Sequence, residues 1–234
     1  MSTARAATLA LAGRFEAALA ALTPSETRSE HGRWVRAYVA AARGQLRRAE
    51  QIAEPLARAA TDRSVRHAAC ITLGSSLRQQ GRHREASAWD RRALNLARTR
   101  SERAHALVGL AADAVGQFDV ETCATRLSEA VDAAARTDLR VQIRIDWVRT
   151  EHALLTRRPS IAARAAGRAL DRSRRARLRR HEAKSLLFLG VALAEARHPR
   201  AIATLERAGV LAERIGARAI ERVARSVARR LARA

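Results

Sequence analysis

The chain has 234 residues, 47% of them apolar but only 3% aromatic, so its core is made of Ala, Leu, Val and Ile. Ala, Leu and Arg dominate and favour helix, and four Pro and eleven Gly are too few for a disordered chain. Lys plus Arg outnumber Asp plus Glu by 45 to 23, a net charge of +22 that favours polyanionic partners. No stretch approaches the length of apolar sequence that a transmembrane helix needs, so none is expected.

The chain begins with a short Ala/Leu run, Met1 to Gly13, with one arginine. Arg14, Phe15 and Glu16 follow at once, so the run reads as a first helix and not as a secretion signal. A turn follows at Gly13-Arg14-Phe15. Others come at Gly44-Gln45-Leu46, Gly81-Arg82-His83 and Gly116-Gln117-Phe118, with the glycines 31, 37 and 35 residues apart. Between the second and third, Pro55 is expected to interrupt a helix. Cys70 and Cys123 lie far apart among apolar helix residues and read as buried free thiols of a reducing, cytoplasmic compartment.

The clearest unit runs from His67 to Ala97. Cys70, Leu73, Gly74 and Leu77 mark a first helix, Gly81 a turn, and Ala86 and Ala93 one face of a second helix. Glycine inside a helix costs about 1 kcal/mol relative to alanine, a cost that makes sense where a neighbouring helix packs against Gly74 closely. Val108-Gly109-x2-Ala112 and Leu189-Gly190-x2-Leu193 repeat the signature, while Thr150 stands where glycine is expected. Arg157-Arg158-Pro159 and Arg197-His198-Pro199 are turns in which Pro suits the first turn of the next helix. Ala201-x3-Leu205 and Ala208 follow. Hairpins start near residues 2, 29, 64, 101, 139 and 178, with a last helix near 216–233.

These residues resemble the tetratricopeptide repeat pattern, Trp-x2-Leu-Gly-x2-Tyr, then Ala-x3-Phe, then Pro. Cys70 takes the Trp place, Leu73, Gly74 and Ala86 match, Leu77 takes the Tyr place, Asp90 stands where the aromatic would be and Arg98 where the Pro would be. The resemblance is strong over 64–135 and 183–212 and weak over 29–60 and 139–176. It implies an all-α fold, a right-handed α-solenoid of about six antiparallel hairpins plus a C-terminal capping helix, forming a single domain over 1–234. It also implies a groove lined by first helices, for which Thr72, Ser75, Arg78, Arg103, Leu107, Leu110, Lys184 and Phe188 are the candidate residues. Some members of the family grip carboxylate termini with paired asparagines. The single asparagine here, Asn95, lies in a second helix, so that clamp is not expected.

Catalytic chemistry is not expected. The seven histidines are scattered, no two lie three to five residues apart, and no Cys lies within such reach of a His, so no metal site forms locally. There is no phosphate-binding Gly-rich loop, no Gly-x-Ser-x-Gly and no strand for a dinucleotide motif. Asp119 and Glu121 read as charges at a helix N-terminus. No cofactor is expected, and no short helix pair is set apart as a DNA reader.

Residues 157–234 hold 21 Arg and Lys against 6 acids. In the last helix Arg214, Arg218, Arg222, Arg225, Arg229 and Arg233 are spaced for one stripe. Ile215, Ile220, Val223, Val227 and Leu231 form the apolar stripe expected to dock on the preceding hairpin. The arginines read either as a solubilising cap or as a surface that contacts a polyanion. The expected function is a non-catalytic scaffold or adaptor that binds an acidic protein or peptide in its groove. The alternative is a nucleic-acid-associated protein contacting phosphates through the 157–234 face.

Overall fold

The computed structural model describes residues 2–233, which form fourteen α-helices and no strand. Contacts divide the helices into two compact units, one ending at Ala135 and the other starting at Arg136, where the sequence pattern suggests one continuous array. Unit 1 holds α1 (Ser2–Leu11), α2 (Phe15–Ala20), α3 (Pro24–Arg28), α4 (Glu30–Ala42), α5 (Leu46–Ala59), α6 (Arg63–Arg78), α7 (His83–Leu96), α8 (Arg100–Gly116) and α9 (Val120–Ala133). Unit 2 holds α10 (Leu139–Leu155), α11 (Pro159–Arg175), α12 (Arg179–Glu195), α13 (Ala201–Arg214) and α14 (Arg218–Leu231).

Within each unit successive helices pack as hairpins, and alternate helices touch as well: α4 with α6, α6 with α8, α10 with α12 and α12 with α14. That is the contact pattern of stacked hairpins in a helical repeat. The expected hairpin starts fall within two residues of α1, α4, α6, α8, α10 and α12, and side-chain caps fix those of α4, α6, α8 and α10. Thr99 and Glu102 form a reciprocal capping box ahead of α8, each backbone N–H bonded to the other's side chain. Asp62, Asp119 and Asp138 cap α6, α9 and α10 in the simpler way. Pro55 does not interrupt its helix: α5 runs through it from Leu46 to Ala59.

The hairpin turns share one left-handed residue. Gly13, Gly44 and Gly81 supply it in the first three, where a side chain would strain the backbone. In the fourth it is Phe118 (φ 61°), not Gly116, and in unit 2 it is Arg157 and Arg197. Gly116 instead ends α8, and a methyl there would overlap the His83 ring. This moves the repeat register by two. Gly74 and Gly190 lie seven residues before their left-handed residue, as does Thr150, but in α8 that place belongs to Ala111 and not to Gly109. Thr150 is tolerated there because its hydroxyl bonds the Asp146 carbonyl at 2.8 Å within its own helix.

Asp90 shows what the glycines do. It is fully buried on α7, and a Cβ at Gly74 would stand 3.0 Å from its Oδ2. A Cβ at Gly109, on the next hairpin, would overlap the same carboxylate. Where the family pattern places an aromatic ring, this chain seats an acid between two bare helix backbones.

Candidate functional site

The residues expected to line a groove fall in two places. Six lie on α6 and α8 of unit 1, and three of them, Thr72, Leu107 and Leu110, are buried. Leu107 is fully enclosed, Leu110 and Thr72 nearly so, and the Thr72 hydroxyl accepts from Trp34 Nε1 at 3.2 Å. Arg78 turns inward. Its Nη1 donates to Asp90 Oδ2 at 2.9 Å, to the Gly109 carbonyl at 3.1 Å and to Asp113 Oδ1. Ser75 and Arg78, half-buried, and Arg103, exposed, reach solvent. The physical reason is that α6 and α8 are flanked on both sides, so helical periodicity does not tell a groove ridge from a packing ridge.

The Arg78 centre has the parts of an acid–base site, but its two acids are buried. Burial works against the Arg78 charge, yet Asp90 and Asp113 hold its pKa above the ordinary value. Burial pushes the Asp113 carboxyl up to about 7 against the pull of Arg78, and the Asp90 charge adds to the rise. Both carboxylates are fully buried, and Arg78 is the member of the centre that is partly exposed. Cys70 and Cys123 are buried and in no disulfide, as the sequence implies, and burial pushes the Cys70 thiol up to about 12.

Lys184 and Phe188 are different. They are half-buried on α12 of unit 2 and meet α10 through Trp147. The Lys184 Nζ lies 4.5 Å from the Trp147 ring centre and 5.1 Å from that of Phe188. The His181 ring stacks on Trp147 at 5.2 Å, and the Trp147 indole N–H donates to Ser185 Oγ at 2.9 Å. These contacts fix the two first helices side by side.

Four cations gather around this aromatic pair. His181 is 3% exposed, and its pKa is held well below the ordinary value by burial and then by Arg140, Arg180, Arg144 and Lys184. The imidazole is therefore neutral, and its Nδ1 is buried without a hydrogen-bond partner. The Nε atoms of Arg140 and Arg180 are also buried and unpartnered. Neither guanidinium makes an ion pair among the described residues. Both stand in the first turn of their helices, where the macrodipole disfavours a cation, and α12 has no side-chain cap. The arrangement favours an anion.

Sequence reasoning missed Arg140, Arg144, Trp147 and His181, and took Arg180 only as part of the basic 157–234 face. A signal was present. Arg140 and Arg180, like Arg144 and Lys184, are 40 residues apart, as are the left-handed residues Arg157 and Arg197, so the cation pair repeats in register.

The arginine stripe divides. Arg218 pairs with Glu221 at 3.1 Å, and Arg225 with Glu213 at 2.7 Å and Glu221 at 2.9 Å. Arg214, Arg222, Arg229 and Arg233 are exposed and make no ion pair among the described residues. The docking face also differs from the expected stripe. Ile220, Glu221, Ala224 and Ala228 are buried, whereas Val223 is 48% exposed. Small alanines bring α14 close to α13, and that rotates Val223 outward.

Among the described residues no helix is long and apolar enough to cross a membrane, and no three His, Cys, Asp or Glu side chains cluster as metal ligands. No protein-family model matches the chain, and no curated protein matches it.

Proposed function

We propose that the chain is a non-catalytic scaffold of the tetratricopeptide kind, working in the cytoplasm, whose unit 2 captures an acidic segment of a protein partner on α10 and α12. The observation that carries this reading is the buried, unpartnered nitrogens of Arg140, Arg180 and His181 beside the Trp147 ring. Unpaired donors at a partly dry site bind carboxylates more strongly than surface lysines do. Trp147 and Phe188 hold the helices in place, so little order is lost on binding. The nucleic-acid reading is less well supported, because Arg218 and Arg225 of the terminal stripe already serve Glu213 and Glu221.

Fluorescence anisotropy with a labelled Asp/Glu-rich peptide and with random duplex DNA separates the two readings. At about 50 mM salt, where phosphate contacts are strong, the peptide is expected to bind and Arg140→Glu with Arg180→Glu to abolish it. Duplex DNA binding more tightly than the peptide, with loss only on Arg222→Glu and Arg229→Glu, would reverse the assignment. A peptide affinity unchanged in the α10–α12 variant would remove the proposed face.

A further inference from the structure

A second basic feature lies half a helical turn away. Arg149 is nine residues, or two and a half turns, beyond Arg140, so it faces the opposite side of α10. There a cavity of about 280 Å³ opens between α10 and α11, lined among others by Arg149, His152, Thr156, Arg158 and Arg168. Behind it sits Asp146, fully buried, which accepts from Arg149 and Arg168 at 3.4 and 3.3 Å and pairs with Arg172. One carboxylate serves three guanidiniums and leaves two positive charges uncompensated. Arg158, exposed at the N-cap of α11, adds a further cation with no ion pair among the described residues. His152 Nε2 is buried without a partner.

We infer that this cavity binds a phosphate monoester. The phosphoryl group carries close to two negative charges near neutral pH, which matches the excess left by Asp146. Guanidinium forks suit its oxygens, and they approach here from two helices. A water fills about 30 Å³ of liquid, so the cavity has room for the ester as well as the phosphoryl group. Mutual repulsion is already felt: burial first and then Arg168 lower the Arg149 pKa, and burial and then Arg175 lower that of Arg172. A bound dianion relieves the first, since Arg149 and Arg168 both line the cavity.

Two sources present this group, a small phosphorylated metabolite and a phosphorylated side chain of a partner. Isothermal titration of the full chain with O-phosphoserine, at fixed ionic strength and with glutamate as the carboxylate control, tests the site. O-phosphoserine is expected to bind, and glutamate more weakly. Arg158→Gln leaves Asp146 and its three arginines intact and is expected to weaken binding about tenfold, the worth of one hydrogen bond to a charged group. A phosphoserine peptide bound more tightly than the amino acid assigns the group to a partner, and equal affinity assigns it to a small ligand. Either result supports the site. No binding of O-phosphoserine, glutamate binding equally well, or unchanged affinity in both Arg158→Gln and Arg149→Gln overturns it. The variant Arg140→Glu with Arg180→Glu is expected to retain phosphoserine binding. Loss there would move the ligand to the other face and overturn the cavity, so this site and the acidic-segment face fail separately.

Discussion

Arg78→Met removes the guanidinium that pairs with two fully buried carboxylates, Asp90 and Asp113, and leaves His83 Nδ1 4.0 Å from Asp113. Breaking a buried ion pair from one side costs about 3–5 kcal/mol, a large part of the 5–15 kcal/mol typical of a folded domain. The loss depends on pH, and its sign follows from Asp113. Its folded pKa is raised to about 7, above the unfolded value, so the native state holds a proton that the unfolded chain lacks. That contribution is fully present below the unfolded carboxyl pKa of about 4, falls as pH rises from there, and is gone once pH passes the folded value of about 7. Without Arg78 the carboxylates are relieved only by protonation, their own or that of His83, whose pKa burial and then Arg78 lower, so the variant should lose more at pH 8 than at pH 5.5. Urea unfolding in a Trp147→Phe background reads this directly, because Trp34 and Trp89 then report unit 1 alone. Adding Asp90→Asn and Asp113→Asn to Arg78→Met should recover most of the loss. A cost below about 1 kcal/mol at pH 8, where a buried pair should cost several times more, or an equal cost at both pH values, would refute the reasoning.

Asp113→Asn alone, with Arg78 still serving Asp90, should flatten the stability profile between pH 5 and 8 and be stabilising at pH 8 in the same assay. Gly190→Ala places a Cβ 2.6 Å from Leu205 Cγ, and overpacking of this kind costs about 1–3 kcal/mol, read by circular dichroism in a urea melt. Arg197 adopts φ 53°, so Arg197→Gly should gain about 1 kcal/mol from relief of left-handed strain, less the entropy of glycine. In α14, Arg222→Ala and Arg229→Ala should change stability by less than about 0.5 kcal/mol, while Arg225→Ala, which strips Glu213 and Glu221, should cost more in the same melts. Cys70, buried and with its thiol pushed up to about 12, should resist a thiol-specific reagent at pH 8 until the chain unfolds. Labelling at the rate of free cysteine would show that this part of unit 1 opens.

The candidate face was half legible. Lys184 and Phe188 stand out in the sequence as the single lysine and a rare aromatic on a first helix, and both lie on the α10–α12 face. Thr72 has the same place in its hairpin as Phe188, nine residues before the left-handed residue, yet packing encloses it, as it does Leu107 and Leu110. Each side chain's exposure lies in what packs against it, and one helix's pattern does not contain its neighbours. Gly116 misled the register for a similar reason. A glycine that ends a helix under the His83 ring and one that turns left-handed look alike in sequence. Phe118 holds the strained conformation without being a residue type that announces it.

By itself the sequence determined the helices, their caps and their hairpin spacing, because propensity, capping and turn chemistry act over a few residues. It determined the sign of the charge and its concentration toward the C-terminal end. Tertiary structure alone decided which charges are spent and which remain. It turned Arg78 inward onto two acids, gave Arg225 to Glu213 and Glu221, and left Arg140, Arg180 and His181 with unmatched buried nitrogens. Pairing depends on distance between helices many residues apart, and that distance is set by close packing of alanine and glycine faces.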